Sequence, residues 1–177
     1  MKIILIGIQG AGKSTQGNLL STSLEIPYLS TGHIFRELAK EKTSEGRYIK
    51  ETINAGFLIP DGQAFQIVTG YLSKPEYANG YILDGFPRTV KQAEDFKENI
   101  DYVFYLKVSD KEALWRISGR SDERDDETLK AIRKRIELFH EVTTPVLYYY
   151  RKRKLLVEMD GEESIEEIHK EILAILR

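Results

Sequence analysis

The sequence of 177 residues contains no cysteine, which removes disulfides, thiolate zinc sites and cysteine nucleophiles together and fits a reducing compartment. Neither sign of charge is in excess. With 26 basic residues against 28 acidic ones, bulk charge argues for neither nucleic acid nor an anionic membrane surface as partner, so any basic chemistry has to be local. Long apolar runs are missing too: the run Ile3 to Ile6 stops at Gly7, too short for the core of a signal peptide or for a membrane span. Repeats, low-complexity tracts and an obvious linker are likewise absent. At about 150 residues per domain, the length suits one domain with a core of its own. The expected setting is the cytoplasm, with no nucleic-acid or membrane partner.

The run Ile3-Ile4-Leu5-Ile6 does not alternate and is rich in β-branched residues, the pattern of a strand buried on both faces of a parallel sheet. Tyr81-Ile82-Leu83, Tyr102 to Leu106 and Leu155-Leu156-Val157 repeat it, with charged helical stretches between them. That rhythm is the one of an open α/β sheet. A weaker fifth strand includes Pro27-Tyr28-Leu29. From Asp125 to Arg153, Leu129, Ile132, Ile136, Phe139 and Val142 follow helical spacing, and Pro145 is expected to kink or break that helix. Ser164-Ile165-Glu166-Glu167 reads as a capping box opening a last helix, with Ile165, Ile168, Ile172 and Leu176 inward. His140 and His169 fall in expected helices with no partner at metal-ligand spacing. Tyr148-Tyr149-Tyr150 point around a helix and form no single stacking face.

Directly after the first strand comes Gly7-Ile8-Gln9-Gly10-Ala11-Gly12-Lys13-Ser14-Thr15, which satisfies G-x-x-x-x-G-K-[ST] in a strand, loop, helix context. Glycines let such a loop turn its backbone N–H groups around phosphate oxygens, the following helix points its positive end at them, and Lys13 adds a full charge. Gly10, Ala11, Gly12, Lys13, Ser14 and Thr15 are therefore the candidate phosphate cradle, and the Ser14 hydroxyl can reach Mg²⁺. Tyr81-Ile82-Leu83-Asp84-Gly85-Phe86-Pro87-Arg88 ends a buried strand on a carboxylate, where a P-loop enzyme holds its Mg²⁺ shell, directly or through water.

Together with Ser30-Thr31-Gly32 and Arg36, these residues resemble the adenylate kinase family, which carries S-T-G-x-x-x-R and D-G-F-P-R-T before a glutamine, here Gln92. The resemblance covers nearly the whole chain. It implies a P-loop α/β/α fold of three layers, with a five-stranded parallel sheet and a small helical insertion that binds the nucleoside monophosphate. It implies one domain over 1–177: a core of 1–29, 61–118 and 126–177, the insertion at 30–60 and a short lid loop at 119–125. Long-form relatives place a separate lid domain there, often with a zinc-binding cysteine cluster; this chain has no room for it and no structural zinc is expected. The implied activity is Mg²⁺-dependent transfer from ATP to AMP, by a monomer acting on small nucleotides.

By the same resemblance Thr31, Gly32, Arg36, Phe57, Leu58, Ile59, Gly85, Arg88 and Gln92 line the AMP site, and Arg116 and Arg120 join the cradle at ATP. Lys13, Arg88, Arg120, Arg124 and Arg135 surround the moving phosphoryl group. The chemistry agrees, since a guanidinium grips phosphate through two hydrogen bonds and an amide both donates to and accepts from an adenine edge. Two positions depart from the pattern. His33 stands where the family nearly always has aspartate, and Ser14 where many relatives have glycine. A UMP/CMP kinase shares the phosphate chemistry, and a P-loop regulatory protein with weak catalysis is the reading from a different class.

Overall fold

The computed structural model describes residues 1–119 and 128–176. The chain opens with β1 (Lys2–Ile6), turns through the glycine-rich loop into α1 (Lys13–Leu24) and returns as β2 (Tyr28–Ser30). Two helices, α2 (Thr31–Leu38) and α3 (Ser44–Asn54), then leave the sheet, and α4 (Asp61–Leu72) leads back to β3 (Tyr81–Asp84). After α5 (Val90–Asp95), β4 (Tyr102–Lys107) and α6 (Asp110–Ser118) come α7 (Leu129–Leu138), α8 (Thr144–Lys152), β5 (Leu156–Asp160) and α9 (Ile165–Ile175).

The five strands form one parallel sheet in the order β2-β3-β1-β4-β5. Ile3, Ile4 and Leu5 are each at most 1 % exposed. Neighbours along a strand point to opposite faces, so helices cover both faces and the fold has the expected three layers. Leu5 lies level with Asp84, and Ile6 with Tyr105. The loop that leaves β1 therefore emerges beside the end of β3, where the strand order reverses and a crevice opens.

Two smaller apolar clusters flank the main core. Ile49, Ile59 and Ala64 pack with Phe35, Leu38, Ile53 and Ile67, giving α2 and α3 a core of their own against α4. Ile117, Ile132 and Ile136 join the end of α6 to α7. Helix starts are set by polar caps: the side chains of Ser30, Thr43, Thr89, Ser109, Thr128 and Ser164 each accept from a backbone N–H three residues on. The capping box at Ser164 and Glu167 is formed in both directions. Among the described residues, no helix is long and apolar enough to cross a membrane.

Three details differ from the sequence reading. Leu129 is 59 % exposed and Ile165 is 49 % exposed, although Ile132, Ile136, Ile168 and Ile172 on the same stripes are buried. Each is the first residue of its helix, where no preceding turn lies beneath the side chain. The interruption near Pro145 falls one turn early, as a π turn over Phe139–Thr143, and Pro145 sits in the first turn of α8, where its missing N–H costs nothing. Of the three tyrosines, Tyr150 is buried, while Tyr149 and Tyr148 carry Arg153 and Arg151 over their rings.

Candidate active site

The glycine-rich loop is shaped by positions where only glycine fits. Gly10 and Gly12 have φ of 92° and 86°, in the left-handed region, and a Cβ on Gly10 would stand 2.6 Å from the Ala113 carbonyl oxygen. Gly12 caps α1 without a side chain, so the first N–H groups of that helix face the crevice, as an anion site requires. Lys13 Nζ bends back over the loop, donating to the carbonyl oxygens of Gly7 at 2.8 Å and Ile8 at 3.0 Å. Gly10, Gly12, Lys13 and Ser14 line the cleft. Ala11 is buried under the loop, and neither it nor Thr15 lines the cleft with its side chain.

Across the crevice, β3 ends on Asp84. Tyr28 Oη donates to its Oδ2 at 2.9 Å, whereas Oδ1 is buried without a hydrogen-bond partner. A buried carboxylate oxygen left this way fits a site completed by hydrated Mg²⁺. No group of three or more acidic or histidine side chains able to hold a metal alone occurs among the described residues. Next, Gly85 adopts φ of 85°, and a Cβ there would meet Thr31 Oγ1 at 2.4 Å. Thr31 itself is 0 % exposed and donates to the Asp84 carbonyl at 3.0 Å. It supports the floor and does not line the cleft, whereas the resemblance had placed it in the lining.

Arg88 Nε donates to the Gly85 carbonyl at 2.8 Å, which folds its guanidinium back over the end of β3. Burial pushes that guanidinium below its ordinary value. Asp84 pulls the other way, and the positive charges of Arg135 and Arg36 add to the push. An arginine stays protonated regardless, so the crowding is relieved only by an anion. Arg36 lies across Gly32, whose Cβ would stand 3.4 Å from Arg36 Nη1. Arg135 reaches from α7 to donate to the Ile53 carbonyl at 2.7 Å and to Gln9 Oε1 at 3.2 Å. Phe57, Leu58, Ile59 and Gln92 complete the lining of the cleft. Among the described residues, four cations line this cleft (Lys13, Arg36, Arg88 and Arg135) and Asp84 is its one carboxylate. Such a balance suits polyphosphate.

Other expected residues lie elsewhere. Arg116 does not line the cleft; it pairs with Glu112 at 2.7 Å and donates to the Gly161 carbonyl at 2.8 Å. His33 is exposed and outside the cleft. Arg120 and Arg124, with most of the 119–125 lid loop, lie outside the described residues. Sequence reasoning missed Tyr28, which it placed only in a weaker strand, Gln9, which fills an open position of the loop motif, and Asp61, which it did not single out. Fold and cleft together make this a P-loop protein of the α/β class.

The family model described as Adenylate kinase matches residues 5–155. The adenylate kinase of Caldicellulosiruptor bescii is 36 % identical over 212 aligned positions, covering 99 % of each chain. That of Methanocella arvoryzae is 34 % identical with 100 % and 99 % covered, and that of Thermosipho africanus 34 % identical with 100 % of each covered. The chain belongs to the adenylate kinase family. Its 177 residues align over 212 positions with the first of these relatives, so that relative has a stretch without counterpart here.

Proposed function

We propose that this cleft carries out the family's reaction, reversible Mg²⁺-dependent transfer of the γ-phosphoryl group of ATP to AMP giving two ADP, with the residues it gathers in the following roles. The observation that carries this reading is the gathering of Lys13, Arg36, Arg88 and Arg135 around one crevice, with Asp84 the one carboxylate lining it among the described residues. Phosphoryl transfer asks for alignment and cationic stabilisation of charge spread over the moving group. An oxygen of the AMP phosphate attacks the γ-phosphorus. The bond to the bridging oxygen breaks, and its electron pair stays on the β-phosphate of the departing ADP. No base is required, because the second pKa of a phosphate monoester is about 6 and the attacking oxygen is already ionised at neutral pH.

In this reading the loop Gly10 to Thr15 holds the ATP phosphates through backbone N–H groups and Lys13. Arg36 and Arg88 grip the AMP phosphate, Arg135 spans both ligands, and Gln92 faces the adenine of AMP, with Phe57, Leu58, Ile59, Gly32 and Gly85 around it. Asp84 and Ser14 would hold Mg²⁺, Asp84 through Oδ1 and water. When bound, the ion would supply positive charge to the phosphate oxygens. We assign 30–60 as the acceptor-binding insertion, and 119–125 as a short lid in which Arg120 and Arg124 close over the phosphates. The stretch that the longer relatives possess is assigned to that lid. A cytoplasmic setting without nucleic-acid partners accords with the cysteine-free, charge-balanced composition, and a monomer acting on nucleotides alone accords with the family resemblance.

The test is a coupled assay for ADP formation from ATP and Mg²⁺, with AMP, CMP, UMP and GMP offered separately. Strong preference for AMP, lost by about 10³ in kcat in Arg88→Ala, is the expected result. Preference for CMP or UMP would overturn the acceptor, and binding without transfer would overturn the enzyme.

A further inference from the structure

The side-chain amide of Gln92 is held from both ends by groups that each permit one orientation. Its Oε1 accepts from the backbone N–H of Arg88 at 2.7 Å, a group that can only donate. Its Nε2 donates to Asp61 Oδ1 at 2.8 Å, a carboxylate oxygen that can only accept. The same Oδ1 accepts from Thr89 Oγ1 at 3.0 Å, and that hydroxyl oxygen accepts from the Gln92 backbone N–H at 3.1 Å. Thr89 therefore has its proton committed to Asp61 and aims the carboxylate. Asp61 is the first residue of α4, where negative charge suits the positive end of the helix. Gln92 is 3 % exposed and lines the cleft.

The last torsion of a glutamine is broad and two-fold, so an amide without such partners presents either edge at little cost. Here it cannot. With Oε1 fixed toward Arg88 and Nε2 toward Asp61, one lone pair and one N–H remain, in a fixed order. Adenine offers a donor at its 6-amino group beside an acceptor at N1. A 6-oxopurine offers the reverse, an acceptor at O6 beside a donor at N1. A base pose that satisfies the locked amide with adenine sets donor against donor and acceptor against acceptor with a 6-oxopurine.

We propose that Asp61 is a specificity-determining positioning residue: by locking the Gln92 amide it selects 6-aminopurine over 6-oxopurine monophosphates as phosphoryl acceptor. This rests on the reading that Gln92 faces the acceptor base. Asp61 needs no contact with the nucleotide. It acts through Gln92, and a site whose polar groups would be left unpaired rejects the wrong ligand strongly.

The test compares kcat/KM for AMP and for IMP, at constant ATP and Mg²⁺, in the full chain and in Asp61→Ala, Asp61→Asn, Thr89→Val and Gln92→Leu. Asp61→Ala is expected to shrink the AMP/IMP ratio by roughly tenfold or more, chiefly through KM for AMP, leaving KM for ATP in place. Asp61→Asn, which still accepts through its amide oxygen, retains most of the ratio. Thr89→Val shifts it in the same direction by less, and keeps the test open should Asp61→Ala fail to fold. If Asp61→Ala or Thr89→Val lowers both acceptors equally while Gln92→Leu collapses the ratio, Asp61 is merely structural and the inference is overturned. If Gln92→Leu leaves the ratio intact, the assignment of Gln92 to the base is wrong and the inference falls with it.

Discussion

Tyr28 reaches from β2 to donate its phenolic hydrogen to Oδ2 of Asp84 at 2.9 Å, and Oδ1 stays buried and without a partner. A carboxylate satisfied on one side only has a defined direction. Removing the phenol in Tyr28→Phe leaves the second oxygen buried and unpaired as well, so stability should fall by about 1–3 kcal/mol, read from urea unfolding. Burial first, then the charge of Asp84, holds the Tyr28 phenol well above its ordinary value. The folded chain thus keeps that proton more tightly than the unfolded one. The contribution is present in full below the ordinary phenol value of about 10 and is lost as pH rises beyond it. Above pH of about 10, the native chain should lose stability more steeply than Tyr28→Phe; equal slopes would refute the assignment.

The room for that tyrosine comes from Gly17 in α1. A Cβ on Gly17 would stand 2.3 Å from Tyr28 Cε2 and 2.6 Å from Cδ2, on a ring held by Asp84. Gly17→Ala should therefore destabilise by about 1–3 kcal/mol, against the gain of up to about 1 kcal/mol that alanine brings to a helix interior. In a Tyr28→Ala background the overlap vanishes and the same change should turn stabilising. A thermal-unfolding double-mutant cycle reads this change of sign, and additive effects would show that the two residues do not compete for space.

On the proposed Mg²⁺-dependent reaction, His33 and Ser14 are expected to act on metal dependence in opposite directions. His33 cannot lend a negative charge to hydrated Mg²⁺, and it stands exposed at the start of α2. Ser14 lines the cleft with a hydroxyl. His33→Asp is expected to lower the Mg²⁺ concentration needed for half-maximal rate, and Ser14→Gly to raise it. Titrations unmoved by both substitutions would exclude any offset between the two positions.

The sheet was legible because its strands are continuous apolar runs, and the loop because its spacing of glycines, Lys13 and Ser14 has one structural use. Arg36, Asp84, Arg88 and Gln92 came from the two short segments that carry the family resemblance, and Arg135 from the resemblance itself. What escaped depends on distance in three dimensions. Tyr28 and Asp84 are 56 residues apart, and Asp61 and Gln92 are 31 apart; no local period links either pair. Arg116 looked like one more phosphate ligand, yet Glu112 one turn before it claims its side chain, a helix pairing that competes with any cleft role. Leu129 and Ile165 show that an apolar stripe gives the inward face but not how far along the helix there is something to pack against.

Two donors of Arg135 go to the last turn of α3 at Ile53 and to the glycine-rich loop at Gln9. A guanidinium carries five N–H donors, so a phosphate can meet Arg135 while those two bonds hold. The charge of a ligand would then be tied through one side chain to the end of α3 and to the loop at once, and the two would be drawn into register by it.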